Sequence, residues 1–307
     1  MVLAVRPSAP TLAPPPTGLD ALERAVVEAL VYADVFDWAL TPAEVHRYLP
    51  VPAEPGDVDA ALSSLGARRA IKAVDGFVTL AGRSGLVAER RRRTAASARL
   101  WRRALAYGRV VASLPWVRLV AISGSLGVDA ATDDADIDLF LVTEDDRLWL
   151  ARALTIGVVR LAATRGLTLC PNYLLARSAL ELPDRDRFTA HELAQLVPLA
   201  GTDAYAELLY RNAWYRTFLP NHPGATEPVP FERAPGARAV ERALGGRIVD
   251  RLERSEMTRK IRRLAEGSDS SELRFGPTVC KGHRTEHRRR ALAAFEERLA
   301  ATLATIE

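Results

Sequence analysis

Apolar positions recur along this chain with two periods, and the switches between them divide it. From Leu19 to about Ala33, the residues Leu22, Val26, Ala29, Leu30 and Ala33 fall at helical spacing. Thr41-Pro42-Ala43-Glu44 is a capping box with proline at the first helical position, so a short helix starts there and ends near Leu49. Val58, Ala61, Leu62 and Leu65 predict a third helix from Asp57. Ile71 to Val74 and Phe77 to Leu80 then flank Asp75-Gly76, a two-residue hairpin signal. Helical spacing returns from Ser84 to Ser113, a stretch that carries Arg90-Arg91-Arg92-Arg93 and then Arg99, Arg102 and Arg103.

The next apolar runs are shorter. Val117 to Ile122 stops at Ser123-Gly124-Ser125, and a second run continues from Ile137 through Val142. Runs of this length, bounded by Gly, Ser and Asp, read as buried strands. Asp145 and Asp146 open a helix over Arg147 to Arg165, acidic at its positive end as the macrodipole favours. Leu167 to Leu175 is a third strand, and Pro171 places it at an edge or on a bulge. Beyond it the pattern is helical: Ala190 to Leu196 behind the box Thr189-Ala190-His191-Glu192, Asp203 to Phe218, Ala237 to Ala265, and Glu286 to the end. Pro220 to Gly236 reads as a loop, and Val279-Cys280-Lys281-Gly282-His283-Arg284 as a basic surface loop, with phosphate contact at the rim of an active site as the sharper reading.

Chemistry concentrates between the first two strands. On a strand, Asp136 and Asp138 would share one face about 6.6 Å apart at Cα. Ionised carboxylates there need exposure, a partner or a cation, and Mg²⁺ suits two carboxylates combined with phosphate oxygens. Gly124 lets a phosphate approach the backbone, and Ser125 adds an N–H and a hydroxyl. The plainer alternative is an Asp-rich turn before an ordinary strand; Asp133 and Asp134 fit it as solvated loop residues.

Gly124-Ser125, ten residues, then Asp136-Ile137-Asp138-Leu139 resembles the signature of the DNA polymerase beta-like nucleotidyltransferase superfamily. The resemblance covers roughly Ser84 to Leu182. It implies an α/β (α+β) core with a mixed sheet, and a Gly124-Ser125 turn that holds the triphosphate. It further implies that Asp136 and Asp138 hold the catalytic Mg²⁺ or Mn²⁺ ions. Many members place a third carboxylate on the next strand, where this chain has Cys170 and Asn172. An amide cannot accept the acceptor's proton. The downstream acids are Glu181, Asp184, Asp186 and Glu192, of which Glu192 already has a role in the helix-capping box.

Three helices and a hairpin resemble a winged helix, yet the third helix offers Asp57, Asp59, Ser63 and Ser64, which suits docking or structure better than DNA. Four consecutive arginines point around the whole helix; a charged connector is the simpler reading and an RNA or DNA track the sharper one. At 307 residues the chain has room for a leader (1–18), a winged-helix-like domain (19–83), the core (84–185) and a helical C-terminal region (186–307). A formal charge of +4 tilts it weakly towards anionic partners. Two cysteines form no disulfide framework or zinc spacing and fit a reducing cytoplasm, and no stretch suits a membrane span.

The expectation is therefore a cytoplasmic nucleotidyltransferase that uses ATP or another NTP. Its acceptor is a small molecule, a protein or an RNA. The alternative is a non-catalytic nucleotide- or DNA-binding regulator that keeps the fold.

Overall fold

The structure, a computed structural model, describes residues 18–224, 237–244, 246–265, 273–282 and 287–307. Nearly all of the Pro-rich leader, most of the Pro220–Gly236 loop, and His283 and Arg284 of the basic turn lie outside these residues.

Helices α1 (Ala21–Val35), α2 (Pro42–Arg47) and α3 (Pro55–Ala67) precede a hairpin of β1 (Ile71–Val74) and β2 (Phe77–Leu80). Asp20 and Glu23 form a capping box on α1, and Thr41 and Glu44 form the expected one on α2. Helix α3 begins two residues before Asp57, because Pro55 takes the first helical position. Leu40 exchanges backbone hydrogen bonds with Val78 and so ties the α1–α2 connection to the hairpin. Asp57, Asp59 and Ser63 lie exposed on α3.

Helix α4 (Leu86–Ala112) explains its arginine run. Arg90 is buried: it donates to the Ala39 carbonyl at 3.1 Å and to Glu44 at 2.8 Å, and lies 3.8 Å over the Trp38 ring. Arg91 pairs with Asp75 in the hairpin at 2.9 Å, while Arg92 and Arg93 both bind Glu89. Arg90 and Arg91 therefore fasten the connecting helix to the N-terminal elements, where a cation that is stacked and hydrogen-bonded can be buried.

After α4 come β3 (Val117–Ser123), the one-turn helix α5 (Gly124–Gly127), β4 (Ile137–Thr143), α6 (Leu148–Ala163) and β5 (Leu169–Ala176). Next are α7 (Arg187–Ala194), β6 (Val197–Ala200), α8 (Thr202–Arg211), α9 (Ala237–Ala243) and α10 (Arg247–Ala265). The chain closes with β7 (Arg274–Phe275), β8 (Val279–Lys281) and α11 (His287–Ile306). The strands from β3 onward form one six-stranded sheet in the order β6-β3-β4-β5-β8-β7. Among the described strands only β4 and β5 run parallel, joined through α6, so the protein is of the α+β class with a mixed sheet.

Three features depart from the sequence expectation. The region after residue 185 is not wholly helical, for β6, β7 and β8 extend the sheet at both edges. These strands have two to four residues, too few for periodicity to reveal, and they form because β3 and β5 offer open edges. Asp145 and Asp146 do not cap α6; Glu253 reaches across from α10 and accepts from Trp149 N at 2.7 Å and Leu150 N at 2.8 Å. The box at Thr189 is also unused, because Asp186 caps α7 by accepting from Thr189 N at 2.9 Å.

One sheet face, with Ala121, Phe140, Val142, Tyr173 and Leu175, packs with the N-terminal helices, α7, α8 and α11. The other, with Val120, Ile122, Leu139, Leu141 and Leu174, packs against α4, α6 and α10. No described helix is long and apolar enough to cross a membrane.

His191 sits where α7 meets the N-terminal helices. It is buried and stacked on Tyr32 at 4.0 Å, and neither ring nitrogen has a hydrogen-bond partner among the described residues. Burial, reinforced by Arg187, pushes its pKa down to about 3. A base depressed in this way contributes stability that is complete above its ordinary value of 6.5 and is lost as pH falls from there towards about 3. His191→Phe keeps the stacking and removes the titration. Urea unfolding at pH 7.5 and 4.5 should show the variant losing about 2 kcal/mol less than the parent over that interval. Equal losses would contradict this account.

Candidate active site

Strand β3 runs extended to Ser123, and the chain then turns through Gly124 at φ +65° into α5. A side chain at Gly124 would be strained by that angle, and its Cβ would overlap Asp138 Oδ2 and lie 3.3 Å from Asp138 Cγ. The contact follows from the antiparallel register, which sets Ser123 opposite Asp138. The Gly-Ser turn and the second acid are thus brought together. Ser125 is half-buried on α5, and its carbonyl accepts from Ala130 N at 2.8 Å.

Asp136 is placed differently from expectation. The first ladder hydrogen bond, Ile137 N to Thr168 O at 2.9 Å, falls one residue later, so Asp136 lies exposed just ahead of β4 while Asp138 is within it. Its charge still reaches Asp138. Burial first, and repulsion from Asp136 second, push the Asp138 pKa up to about 6, while a hydrogen bond from Cys170 pulls the other way. Burial and the same carboxylates push the Cys170 thiol up to about 12, so it stays protonated at neutral pH and can donate.

The spacer between turn and acids is braced by α4. Ser97 Oγ accepts from Ala131 N at 3.0 Å, Trp101 Nε1 donates to Asp129 at 2.8 Å, and Arg99 binds Asp133 at 2.5 Å. Asp133 and Asp134 are exposed, as a solvated loop requires.

Strand β5 sets Cys170 opposite Asp138 and carries a bulge: Leu139 faces Pro171 and Phe140 faces Tyr173, which leaves Asn172 as the extra residue. Pro171 thus sits at the bulge, with β8 paired to β5 only from Tyr173 onward. Among the downstream acids, Glu181 pairs with Arg185, Asp184 with Arg274 at 2.9 Å, and Asp186 with Arg288 at 2.6 Å. Glu192 lines a cavity of about 20 Å³ shared with Ser123, Asn172, Tyr173 and Lys281. The sequence places Lys281 in a basic segment read as a surface loop, with phosphate contact at the site's rim as the sharper reading; the structure buries it. The signal was too short: only Val279-Cys280-Lys281 form β8.

Among the described residues no three His, Cys, Asp or Glu side chains cluster as a metal site. A cation at this place would rest on Asp136 and Asp138 together with water and substrate oxygens. The donor set fits a hard divalent ion: a half-buried carboxylate raised by a like charge, with only a thiol donating to it. Size alone would direct attention elsewhere. A cavity of about 1350 Å³ lies at the other end of β3 and β4, against Trp116, Arg118, Glu144 and Glu241. Two of its cations are paired within it, Arg118 with Glu144 at 2.6 Å and Glu241 at 2.9 Å, and Arg147 with Asp250 at 2.7 Å.

A raised carboxylate stabilises the metal-free fold below its ordinary value near 3.8, and that contribution is lost as pH rises through about 6. Asp138→Asn should therefore be more stable than the parent by about 1–2 kcal/mol at pH 7.5 in EDTA, allowing for partial exposure, with the gap closing by pH 4. Chemical denaturation at the two pH values checks this, and a less stable variant at pH 7.5 contradicts it. Comparison of the chain with protein-family models, with curated proteins and with solved structures finds no match.

Proposed function

We propose that this chain is a metal-dependent nucleotidyltransferase that moves a nucleoside monophosphate from an NTP to an acceptor group and releases pyrophosphate. The observation that carries the reading is the contact between the positive-φ Gly124 turn and the Asp138 carboxylate, imposed by the Ser123–Asp138 register. The parallel β4–β5 pair and its α6 crossover support the resemblance to the DNA polymerase beta-like superfamily, and the first three helices with their hairpin support a winged-helix-like N-terminal unit.

In this mechanism the backbone N–H groups at Gly124 and Ser125 bind the β- and γ-phosphates. Asp136 and Asp138 would hold Mg²⁺ or Mn²⁺, which would supply Lewis-acid activation of the attacking hydroxyl and charge neutralisation for the phosphates. Cys170 fixes the Asp138 carboxylate through its S–H. Asn172 can orient an oxygen but takes no proton at neutral pH. The free thiols Cys170 and Cys280 suit a reducing cytoplasm. A DNA-binding regulator is less well supported, because Arg90 and Arg91 are engaged by the N-terminal elements and the exposed side of α3 carries Asp57 and Asp59.

The test is incubation with each labelled NTP and Mg²⁺ or Mn²⁺, with pyrophosphate as the readout and small molecules, proteins and RNA as acceptors. Asp136→Asn and Asp138→Asn should each reduce release on the order of a hundredfold or more while the fold persists. Undiminished release in either variant refutes the assignment. Gly124→Ala should lose activity and also about 1–3 kcal/mol of stability, measured by denaturation, because of its backbone angle and the clash with Asp138.

A further inference from the structure

We propose that Ser123, Asn172 and Lys281 form an oxyanion pocket that receives one phosphate oxygen of the nucleotide bound at Gly124 and Ser125, an inference that rests on the reading above. The three residues come from three strands, β3, β5 and β8, and line the same cavity of about 20 Å³, room for a single water-sized group. All are buried, with 9%, 9% and 6% of their surface exposed. Ser123 immediately precedes the Gly124 turn. Asn172 is the bulged residue of β5, and its carbonyl accepts from Gly282 N at 3.2 Å, which fixes β8 against it.

The lining sets three donor side chains among the apolar residues Phe140, Leu182, Leu193 and Leu196. The Ser123 hydroxyl and the Asn172 carboxamide make no side-chain hydrogen bond among the described residues. Lys281 Nζ lies 5.1 Å from the Tyr173 ring, and its nearest carboxylate oxygen is Asp184 Oδ2 at 3.7 Å. Asp184 is already bonded by Arg274 at 2.9 Å and stands 3.9 Å from Arg288, so its charge is shared among three cations. An ammonium whose carboxylate partner is shared with two guanidinium groups retains attraction for a further anion. A hydroxyl, a carboxamide and an ammonium around a space of one-oxygen size are complementary to a phosphate oxygen. Glu192 is the one carboxylate in the lining; it opposes the anion and so limits its affinity.

The probe is inorganic pyrophosphate, titrated calorimetrically into the full chain without metal. The parent should bind it, Lys281→Met should weaken binding tenfold or more, Lys281→Arg should restore part, Asn172→Leu should weaken it severalfold, and Glu192→Gln should tighten it severalfold. Absence of binding to the parent, or a folded Lys281→Met variant within twofold of it, overturns the proposal. Should Lys281→Met fail to fold, Asn172→Leu and Glu192→Gln decide by the same criterion. The double variant Asp136→Asn, Asp138→Asn separates the two readings, since it should abolish transfer while metal-free pyrophosphate binding persists or tightens, two negative charges beside the turn having been removed. Lys281-dependent binding in a chain that transfers no nucleotide sinks the function alone. Transfer with a KM for NTP that Lys281→Met does not change sinks the pocket alone.

Discussion

The site depends on one strand register. Antiparallel pairing of β3 with β4 places Ser123 across from Asp138, and the next residue, Gly124, turns under that carboxylate with no Cβ to obstruct it. A one-residue slip would send Asp138 to the opposite sheet face, into the layer occupied by Ile122, Leu139 and Leu141, where a carboxylate has no partner. The apolar alternation of the two strands therefore selects the register that also assembles the chemistry. The residual strain is electrostatic: Asp138 is held half-buried beside Asp136, which a cation would relieve.

Around this register the remaining elements act as braces. Helix α4 links the N-terminal helices to the spacer before Asp136: Arg90 and Arg91 fasten its start, and Ser97, Arg99 and Trp101 hold the loop. Helix α11 returns to α1 and α7, with Arg298 on Asp34 at 2.7 Å and Phe295 against Tyr32 at 5.7 Å between ring centroids. The face of the sheet that carries Asp138 is thus continuous in packing with residues as far apart as Ala25 and Phe295, and His191 stacks on Tyr32 of the same cluster.

Local signals in the sequence account for part of this arrangement. The α2 capping box, the Asp75-Gly76 hairpin, the strands on either side of Gly124 and the bulge at Pro171 were legible, because each is decided by neighbouring residues: a cap, a positive-φ turn, a short β-branched run, a missing N–H. What could not be read was decided at long range. Asp186 displaced Thr189 as the cap of α7, and Glu253 took the place of Asp145 and Asp146 at α6 from about a hundred residues away. The arginine run looked like a solvated charge, since nothing local shows that Trp38 and Glu44 wait for Arg90. Asp136 fell outside β4 because the ladder begins with Ile137 bonded to Thr168, a partner the motif itself does not contain.

Lys281 carries the same lesson to the site. Its strand, β8, has three residues and no independent stability; it exists because β5 presents an open edge from Tyr173 to Leu175. Pairing there buries Cys280 on one face and Lys281 on the other, beside Asn172, more than a hundred residues earlier in the chain. The bulge adds an unpaired residue to β5 where the cavity lies, so the feature that interrupts the ladder also supplies one of its donors. In the proposed pocket the motif around Gly124 and Asp138 therefore accounts for only part of the donor set, and the short strand that extends the sheet brings the buried cation, Lys281.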